Sequence, residues 1–181
     1  MLVALAGGVG AARFLRGLVR VVPPEDLVVV VNTGDDEHFH GLHVAPDLDS
    51  VTYTLAGIAN PETGWGLAGE TFHCLDALDR LGAPTWFRLG DADLATHLFR
   101  TERLRGGSTL SEATAAITAS LGLEVTLLPM SDDRVATVIE VEPAPDELPM
   151  QEWFVRHRAE PRVRGVRFDD ASAARPAPGV L

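Results

Sequence analysis

A run of five apolar residues, LVVVV at 27–31, constrains the fold of this chain more than any other feature of its sequence. β-Branched residues without polar alternation are typical of a parallel strand covered on both faces. A second apolar run, at 2–6, ends in two glycines and is followed by a helical pattern over 10–21. Strand, helix and strand within about thirty residues form a right-handed βαβ unit. The sequence therefore predicts a doubly wound α/β fold, with a mostly parallel sheet and helices on both faces.

The remainder of the chain alternates in the same way, which predicts a single Rossmann-like α/β domain over 1–181. A capping box of Thr109 and Glu112 opens one of the later helices. The Ala/Pro-rich residues 171–181 are expected to form a flexible tail, at which the domain is truncated. Helices are predicted over 47–58, 69–81, 91–103, 109–121 and 151–157, strands over 85–89, 125–128 and 135–141, and a Pro-rich loop over 142–149.

Composition excludes several kinds of chemistry. All fifteen basic residues are arginines, so a phosphate-binding lysine, a Schiff-base lysine and a lysine general base are ruled out. The net charge of −11 argues against binding a nucleic-acid backbone. No apolar run approaches the roughly 18–20 residues of a membrane span, and a single cysteine, Cys74, fits a reducing compartment. We therefore expect a cytoplasmic protein that binds neither nucleic acid nor membrane.

The glycine turn GGVGAARF after the first strand is a candidate phosphate site. Gly8 and Gly10 allow a ligand to approach the backbone at a helix start, where free N–H groups and the helix dipole favour negative charge. Arg13, on the first helical turn, is a candidate partner for the same phosphate. The pattern lacks the third glycine of the dinucleotide-binding fingerprint. The alternative interpretation is a tight turn followed by a solvent-exposed arginine.

Two acidic clusters follow the most hydrophobic strand. Asn32, Asp35 and Asp36 come directly after it, and Asp47 and Asp49 lie at the start of the next predicted helix. Ligands of α/β proteins bind at the carboxyl ends of parallel strands, and Mg²⁺ binds a few carboxylate oxygens together with waters or substrate phosphates. The two clusters together favour a metal–phosphate site. Each cluster alone is also consistent with helix capping or with solvated charge.

Three histidines, His38, His40 and His43, offer a second possibility, because imidazoles at this spacing can bind zinc when they lie on a strand. The segment lacks strand periodicity and lies far from the only cysteine. Contact between one of these histidines and a substrate is therefore a better interpretation than a zinc site.

A polar stripe runs along the third of the later predicted helices. Asp93, His97 and Arg100 recur at helical spacing, and Leu94 and Leu98 lie on the neighbouring stripe. From these residues alone, the expected structure is a capped amphipathic helix with its polar stripe in solvent and its leucines in the core.

Trp65 lies between two glycines and is followed closely by Glu70 and Thr71. An indole held in such a turn can stack on a planar ligand ring. The alternative is a turn in which the tryptophan packs against its own protein.

Taken together and in order, six segments of this chain resemble the 2-phospho-L-lactate transferase family of coenzyme F-420 biosynthesis. The resemblance covers most of the chain, and its specificity comes from the set, since the glycine turn alone would mean little. The segments are GGVGAARFLRGL at 7–18, VNTGDDEHFHGLHVAPDLDSVTYTLAG at 31–57, GWGLAGET at 64–71, FRLGDADLATHLFR at 87–100, LSEAT at 111–115 and LLPMSDDRVAT at 127–137.

The resemblance implies a Mg²⁺-dependent phosphoryl transfer. A phospholactyl, phosphoenolpyruvyl or phosphoglyceryl group moves from a guanosine diphospho-linked donor to the ribityl hydroxyl of 7,8-didemethyl-8-hydroxy-5-deazariboflavin, and GMP is released. A homodimer is compatible with the family. The residues implied are Asp35, Asp36 and His97 for catalysis; Gly8, Gly10, Arg13, Asn32, Trp65, Glu70, Thr71 and Arg100 for substrate binding; and Asp35, Asp47 and Asp49 for the metal.

Members of that family are longer and continue into a nucleotide-contacting loop, so we expect this sequence to be an N-terminal portion of such an enzyme. Two alternatives remain at this point. One is a nucleotide-sugar-binding regulatory protein from a related branch, although Glu37 and His38 replace the Gly/Ser run of that branch. The other is an inactive fragment whose sheet edge is left unpaired.

Overall fold

The computed structural model describes residues 1–143 and 146–181. The strands are β1 (Leu2–Ala6), β2 (Leu27–Val31), β3 (Glu37–Phe39), β4 (Leu42–Val44), β5 (Thr126–Pro129), β6 (Ala136–Val141), β7 (Glu147–Pro149) and β8 (Val163–Asp169). The α-helices are α1 (Gly8–Leu18), α2 (Pro46–Leu55), α3 (His73–Arg80), α4 (Asp93–Arg105) and α5 (Leu110–Ser120). A 3₁₀ turn covers Pro24–Asp26, and a short π-helix covers Glu152–Arg156. No helix in the described ranges is long and apolar enough to cross a membrane.

A parallel sheet with β2 at its centre confirms the predicted α/β class. β1 pairs with β2 from Leu2 opposite Leu27 onward, and β5 pairs with the other edge of β2, where Val31 lies opposite Pro129. The β2 residues that face the helices are almost wholly inaccessible to water, as the apolar run predicted. α1, α2 and α5 contribute Leu15, Leu48 and Leu110 to the same core.

The helices that form this core pack against one face of the parallel sheet. On β1, Ala4 and Ala6 face that core, whereas Val3 and Leu5 point to the opposite face and are 51 % and 82 % exposed. The second helical layer expected of a doubly wound sheet is therefore not seen over β1 in residues 1–143 and 146–181.

The C-terminal segment, expected as a flexible tail, contacts the end of β5. Ser131 Oγ donates to the carbonyl of Arg175 at 2.7 Å, and the N–H of Ala177 donates to the carbonyl of Met130 at 3.1 Å. Ala177 is 3 % exposed. These bonds attach the middle of the segment to the sheet, while its flexibility stays a prediction.

Two small antiparallel units complete the fold. β3 and β4 form a hairpin, and β6 lies between β7 and β8 in a separate antiparallel sheet. β6 was predicted as a strand, but β8 was not, and β7 falls within the predicted Pro-rich loop, of which 144–145 lie outside the described residues.

Helix α5 begins with the predicted capping box, in which Thr109 and Glu112 each accept a hydrogen bond from the other's backbone N–H.

The predicted strand over 85–89 is wrong, and an aromatic cluster takes its place. Phe39 of the β3–β4 hairpin stacks on Phe87, with ring centroids 4.1 Å apart, and meets Trp86 edge-to-face at 5.2 Å. Ring packing against the hairpin holds this segment in an irregular conformation. The segment consequently forms a wall beside the sheet and does not extend it.

Candidate functional site

A cavity of about 470 Å³ lies beyond the carboxyl ends of β1 and β2, between the glycine turn, α2 and α4. This is the edge at which α/β folds bind ligands. Its lining combines acidic and aromatic side chains. The lining residues are Gly8, Val9, Asp35, Val44, Pro46, Asp47, Asp49, Ser50, Tyr53, Trp65, Gly66, Trp86, Phe87, Arg88, Leu89, Asp93, His97, Met150, Gln151, Phe154 and Val155.

Two of the predicted acidic residues meet at one amide. Asn32 Nδ2 donates to Asp35 Oδ2 at 3.1 Å and to Asp47 Oδ2 at 2.9 Å. Asp47 also lies against the start of α1, where a Cβ added to Gly8 would be 3.1 Å from Asp47 Oδ1. Burial raises the pKa of Asp47, the bond from Asn32 lowers it, and the charge of Asp35 raises it further. The sheet edge thus holds two carboxylates close together.

The donor set at Asp35 and Asp47 fits a hard cation. Carboxylate oxygens are what Mg²⁺ prefers, and neither carboxylate forms an ion pair with an arginine or histidine of the described residues. The same part of the chain contains no group of three or more His, Cys, Asp or Glu arranged around a metal. A bound Mg²⁺ would therefore take two protein carboxylates and complete its coordination with water or substrate oxygens.

Asp49, the third predicted metal ligand, is engaged elsewhere. Its carboxylate accepts from Arg100 Nη1 at 3.2 Å and pairs closely with Arg100 Nη2. Arg100 is 1 % exposed and also donates to the carbonyl of His43 at 3.4 Å. The structure therefore does not bring Asp49 to the Asp35–Asp47 pair, and it places Arg100 behind the cavity wall.

His97 is fixed by the same ion pair. Its Nδ1 lies 3.3 Å from Arg100 Nη1, and because a guanidinium only donates, Nδ1 must accept. The Nε2 atom lies 3.4 Å from Asp93 Oδ2, without the alignment of a hydrogen bond. Tyr53 donates its hydroxyl to Asp93 Oδ1 at 2.6 Å. Burial raises the pKa of Asp93, but His97 and Tyr53 outweigh that effect and hold it below its usual value.

The polar stripe of α4 is buried, which corrects the expected solvated face. Asp93, His97 and Arg100 are all at most 8 % exposed, whereas Leu98 is 56 % and Phe99 is 42 % exposed. The helix is inverted relative to its hydropathy because Asp49 and Tyr53 of α2 provide partners for the stripe. Burying polar groups while apolar side chains stay exposed costs free energy of folding, and such groups beside a cavity indicate a functional site.

Asp36 lies outside the cavity lining, in a buried contact with the β4 strand. Its Oδ2 is 2.9 Å from His43 Nε2. Burial raises the pKa of Asp36 well above its usual value, opposed by the charge of Arg100. Burial also lowers the pKa of His43 to about 4. Burial thus favours the uncharged form of both partners.

Replacing Asp36 with asparagine is expected to stabilise the chain relative to wild type, increasingly so as the pH rises above about 4. Burial raises the pKa of Asp36 in the folded chain, so the unfolded chain releases this proton at a lower pH, near 4. Between the pKa of Asp36 in the unfolded chain and its pKa in the folded chain, wild type therefore loses up to about 1.4 kcal/mol of unfolding free energy per pH unit. The asparagine variant does not lose this free energy. Urea unfolding at pH 5, 6 and 7 measures the difference, in which the opposite contribution of His43 cancels. Parallel curves for both proteins would contradict the shifted pKa.

The aromatic wall of the cavity includes one predicted residue and three that were not predicted. Trp65 is 47 % exposed and lines the cavity, as do Trp86, Phe87 and Phe154. Phe154 is 57 % exposed. Large apolar rings left accessible around a concave site favour a planar ligand.

Glu70 and Thr71 do not line the cavity, because their side chains cap helices. Glu70 accepts from the N–H groups of Ala92 and Asp93 at 3.0 and 2.7 Å, at the start of α4. Thr71 donates at 2.6 Å to Asp91, whose carboxylate also accepts two N–H groups at the start of α3. This capping explains why α3 begins at His73 and not at residue 69.

The remaining predicted ligands occupy the edge of the site or lie away from it. Gly8 lines the cavity, but Gly10 has open space around it, and Arg13 is exposed with its guanidinium beside Gly64. The three histidines do not converge on a metal, since His43 pairs with Asp36 and the ring of His38 packs edge-to-face on His43. His40 occupies a positive-φ turn in the β3–β4 hairpin.

Several residues that line the cavity were not predicted from the sequence. Tyr53 and Ser50 were masked by the core pattern of α2, and Met150 and Gln151 come from a segment about 100 positions further along the chain. Gln151 Nε2 donates to the carbonyl of Asp35 at 3.4 Å. The FRLG stretch at 87–90 held a usable signal, because an arginine interrupts an apolar run directly before a helix.

A parallel α/β sheet with a carboxylate pair and an aromatic cavity at its carboxyl edge has the layout of a ligand-binding enzyme of this fold class. The chain belongs to the family described as 2-phospho-L-lactate transferase CofD, whose family model matches residues 2–181.

Similar proteins agree with this assignment. A phosphoenolpyruvate transferase of Streptomyces avermitilis is 49 % identical over 183 residues, which cover 99 % of this chain and 57 % of that protein. One from Thermobifida fusca is 45 % identical over 99 % of this chain and 59 % of its own length. A solved structure of a UPF0052 family protein from Bacillus halodurans has a TM-score of 0.57 at 16 % identity, covering 96 % of this chain and 52 % of that one, and supports the fold alone. The chain thus spans less than two thirds of the length of these relatives.

Proposed function

We propose that this chain supplies the acceptor and metal sites of a transferase in coenzyme F-420 biosynthesis. The enzyme moves a phosphoenolpyruvyl-type or phospholactyl-type group from a guanosine diphospho-linked donor to the ribityl hydroxyl of the deazaflavin, and GMP leaves. The observation that carries this proposal is one cavity whose lining contains both the Asp35–Asp47 carboxylate pair and the solvent-accessible rings of Trp65 and Phe154. The relatives named phosphoenolpyruvate transferase favour the phosphoenolpyruvyl group.

The aromatic wall suits the tricyclic deazaflavin ring. Trp65 and Phe154 lie far apart in the sequence, and both remain accessible to solvent in the cavity. Trp86 packs edge-to-face against Phe39. With the ring stacked there, the ribityl chain would lie in the same cavity as Asp35 and Asp47. The acceptor would then be oriented by binding alone, which suits phosphoryl transfer, since that reaction depends on positioning and charge neutralisation.

Asp35 and Asp47 would hold Mg²⁺, which when bound supplies Lewis-acid stabilisation of the transferring phosphoryl group. In the transfer, the ribityl oxygen forms a bond to the phosphorus that carries the three-carbon acid, and the bond from that phosphorus to GMP breaks. The hydroxyl proton leaves to a carboxylate of the cavity, for which Asp35 is our candidate. His97, whose Nδ1 accepts from Arg100, places its Nε2 atom 3.4 Å from Asp93 Oδ2 at the cavity wall.

Titration with the deazaflavin, followed by its own fluorescence and with and without Mg²⁺, tests the proposal on the chain as it stands. We expect saturable 1:1 binding, weakened about tenfold by Trp65→Ala because a stacking partner is lost. Phe14→Ala is the matched control, since Phe14 is 64 % exposed on α1 and outside the cavity lining. A folded chain that binds a nucleotide sugar and no deazaflavin would replace this proposal with the regulatory alternative.

A further inference from the structure

Arg88 is the single arginine among the residues that line the cavity in the described part of the chain. It follows the aromatic cluster and lies just before the buried Leu89. Its guanidinium carbon sits 4.2 Å from the ring centroid of Phe72. No carboxylate of the described residues lies within ion-pair distance of it, in contrast to Arg156 and Arg167, which are paired on the surface.

The cavity needs a cation at this position because its other charged groups are acidic. Asp35, Asp47, Asp49 and Asp93 all line it, and only Asp49 is matched by a buried guanidinium. A donor that contains a diphosphate and a carboxylic acid brings three or more negative charges into this surface. A metal ion held by Asp35 and Asp47 would account for the phosphate oxygens, which would leave the carboxylate without a partner at that end.

An arginine is suited to binding a carboxylate, and the contact with Phe72 orients Arg88 for it. A guanidinium presents paired N–H groups that match the two oxygens of a carboxylate. Contact with the Phe72 ring orients the plane of the guanidinium without consuming its N–H donors. An arginine held over a ring, open to a cavity and unpaired by its own protein is organised for an anion from outside.

We propose that Arg88 binds the carboxylate of the three-carbon acid carried by the donor and so selects acid-bearing donors over uncharged ones. This inference rests on the proposed function and adds to it the residue that reads the transferred group. Arg88 is then a specificity-determining residue: it acts on donor binding, while the acceptor ring and the phosphates are bound elsewhere in the cavity.

Calorimetric titrations of the chain with two probes in the presence of Mg²⁺ test this assignment. The probes are guanosine diphosphate esterified with lactate and guanosine diphosphate esterified with propan-2-ol, in which a methyl group replaces the carboxylate. Wild type is expected to bind the lactate ester about tenfold more tightly. Arg88→Gln is expected to remove that preference and to leave affinity for the propan-2-ol ester unchanged. Arg88→Lys is expected to retain part of the preference, because it keeps the charge but loses the paired geometry.

Arg80→Gln is the matched control, since it removes the same charge from an exposed position on α3, and circular dichroism checks that each variant is folded. An unchanged preference in folded Arg88→Gln overturns the assignment of Arg88. If that variant and wild type still bind the deazaflavin 1:1, the proposed function survives this result. A wild-type chain that binds the deazaflavin but neither ester overturns the assignment as well, and one that binds none of the three overturns both proposals.

Discussion

Replacing Arg100 with methionine is expected to lower the free energy of unfolding by about 3–5 kcal/mol. Asp49, whose side chain is 8 % exposed, would be left as a buried carboxylate without its partner, and His97 would lose the donor that fixes its Nδ1. Urea unfolding at pH 7 measures the loss. This is the largest stability effect that we expect from a single substitution in this chain.

The double variant Arg100→Met with Asp49→Leu separates the ion pair from simple packing. Removing both charges leaves no unpaired buried ion, and replacing a buried pair by apolar residues is often close to neutral. We therefore expect the double variant to recover most of the stability that Arg100→Met loses. A loss below about 1 kcal/mol in the single variant would show that water reaches this site and that the pair is not structural.

Replacing Asp47 or Asp35 with asparagine is expected to weaken Mg²⁺ binding by about 100-fold or more, because each change removes one of the two carboxylates that we propose as ligands. Without Mg²⁺, either variant is expected to be at least as stable as wild type, since two like charges share a single amide donor at Asn32. Calorimetric titration with Mg²⁺ in the presence of guanosine diphosphate measures the affinity, and thermal unfolding without metal measures the stability.

Asp76→Asn, an exposed acidic position on α3, is the control for the change in net charge. An unchanged Mg²⁺ affinity in both Asp35→Asn and Asp47→Asn would move the metal away from this pair. Asp49→Asn discriminates further, because we expect it to destabilise the fold whether or not Mg²⁺ is present. The prediction that Asp49 binds the metal would gain support only if excess Mg²⁺ restored the stability that Asp49→Asn loses.

Local sequence patterns were sufficient to predict those parts of the structure that depend on a single short segment. The valine run predicted the central parallel strand, and Thr109 with Glu112 predicted the start of α5 from one reciprocal pair of bonds. Strand polarity placed Asn32 and Asp35 at the carboxyl edge of the sheet, and the start of α2 brings Asp47 to the same amide. These features depend on short stretches of chain and on the geometry that every parallel sheet shares.

Features that depend on a distant partner were not accessible in this way. The stripe of α4 was interpreted as solvated because nothing in its own residues reveals Asp49, which lies 51 positions from Arg100. Likewise, the apolar residues near 85–89 suit a strand until Phe39 is known to stack on Phe87. Glu70 and Thr71 were candidates for ligand contact because their capping targets on α3 and α4 are set by tertiary structure.

The order of the parallel sheet has a consequence for how the chain folds. β2 can join β1 early, since one helix separates them, but Val28 pairs with Thr126 only after the whole intervening segment has been arranged. Closing so long a loop costs chain entropy before any contact compensates for it. We therefore expect β5 to dock late, as the step that limits the folding rate. A nascent chain released before residue 126 would have half of its central strand's hydrogen bonds unmade and its core open to chaperones.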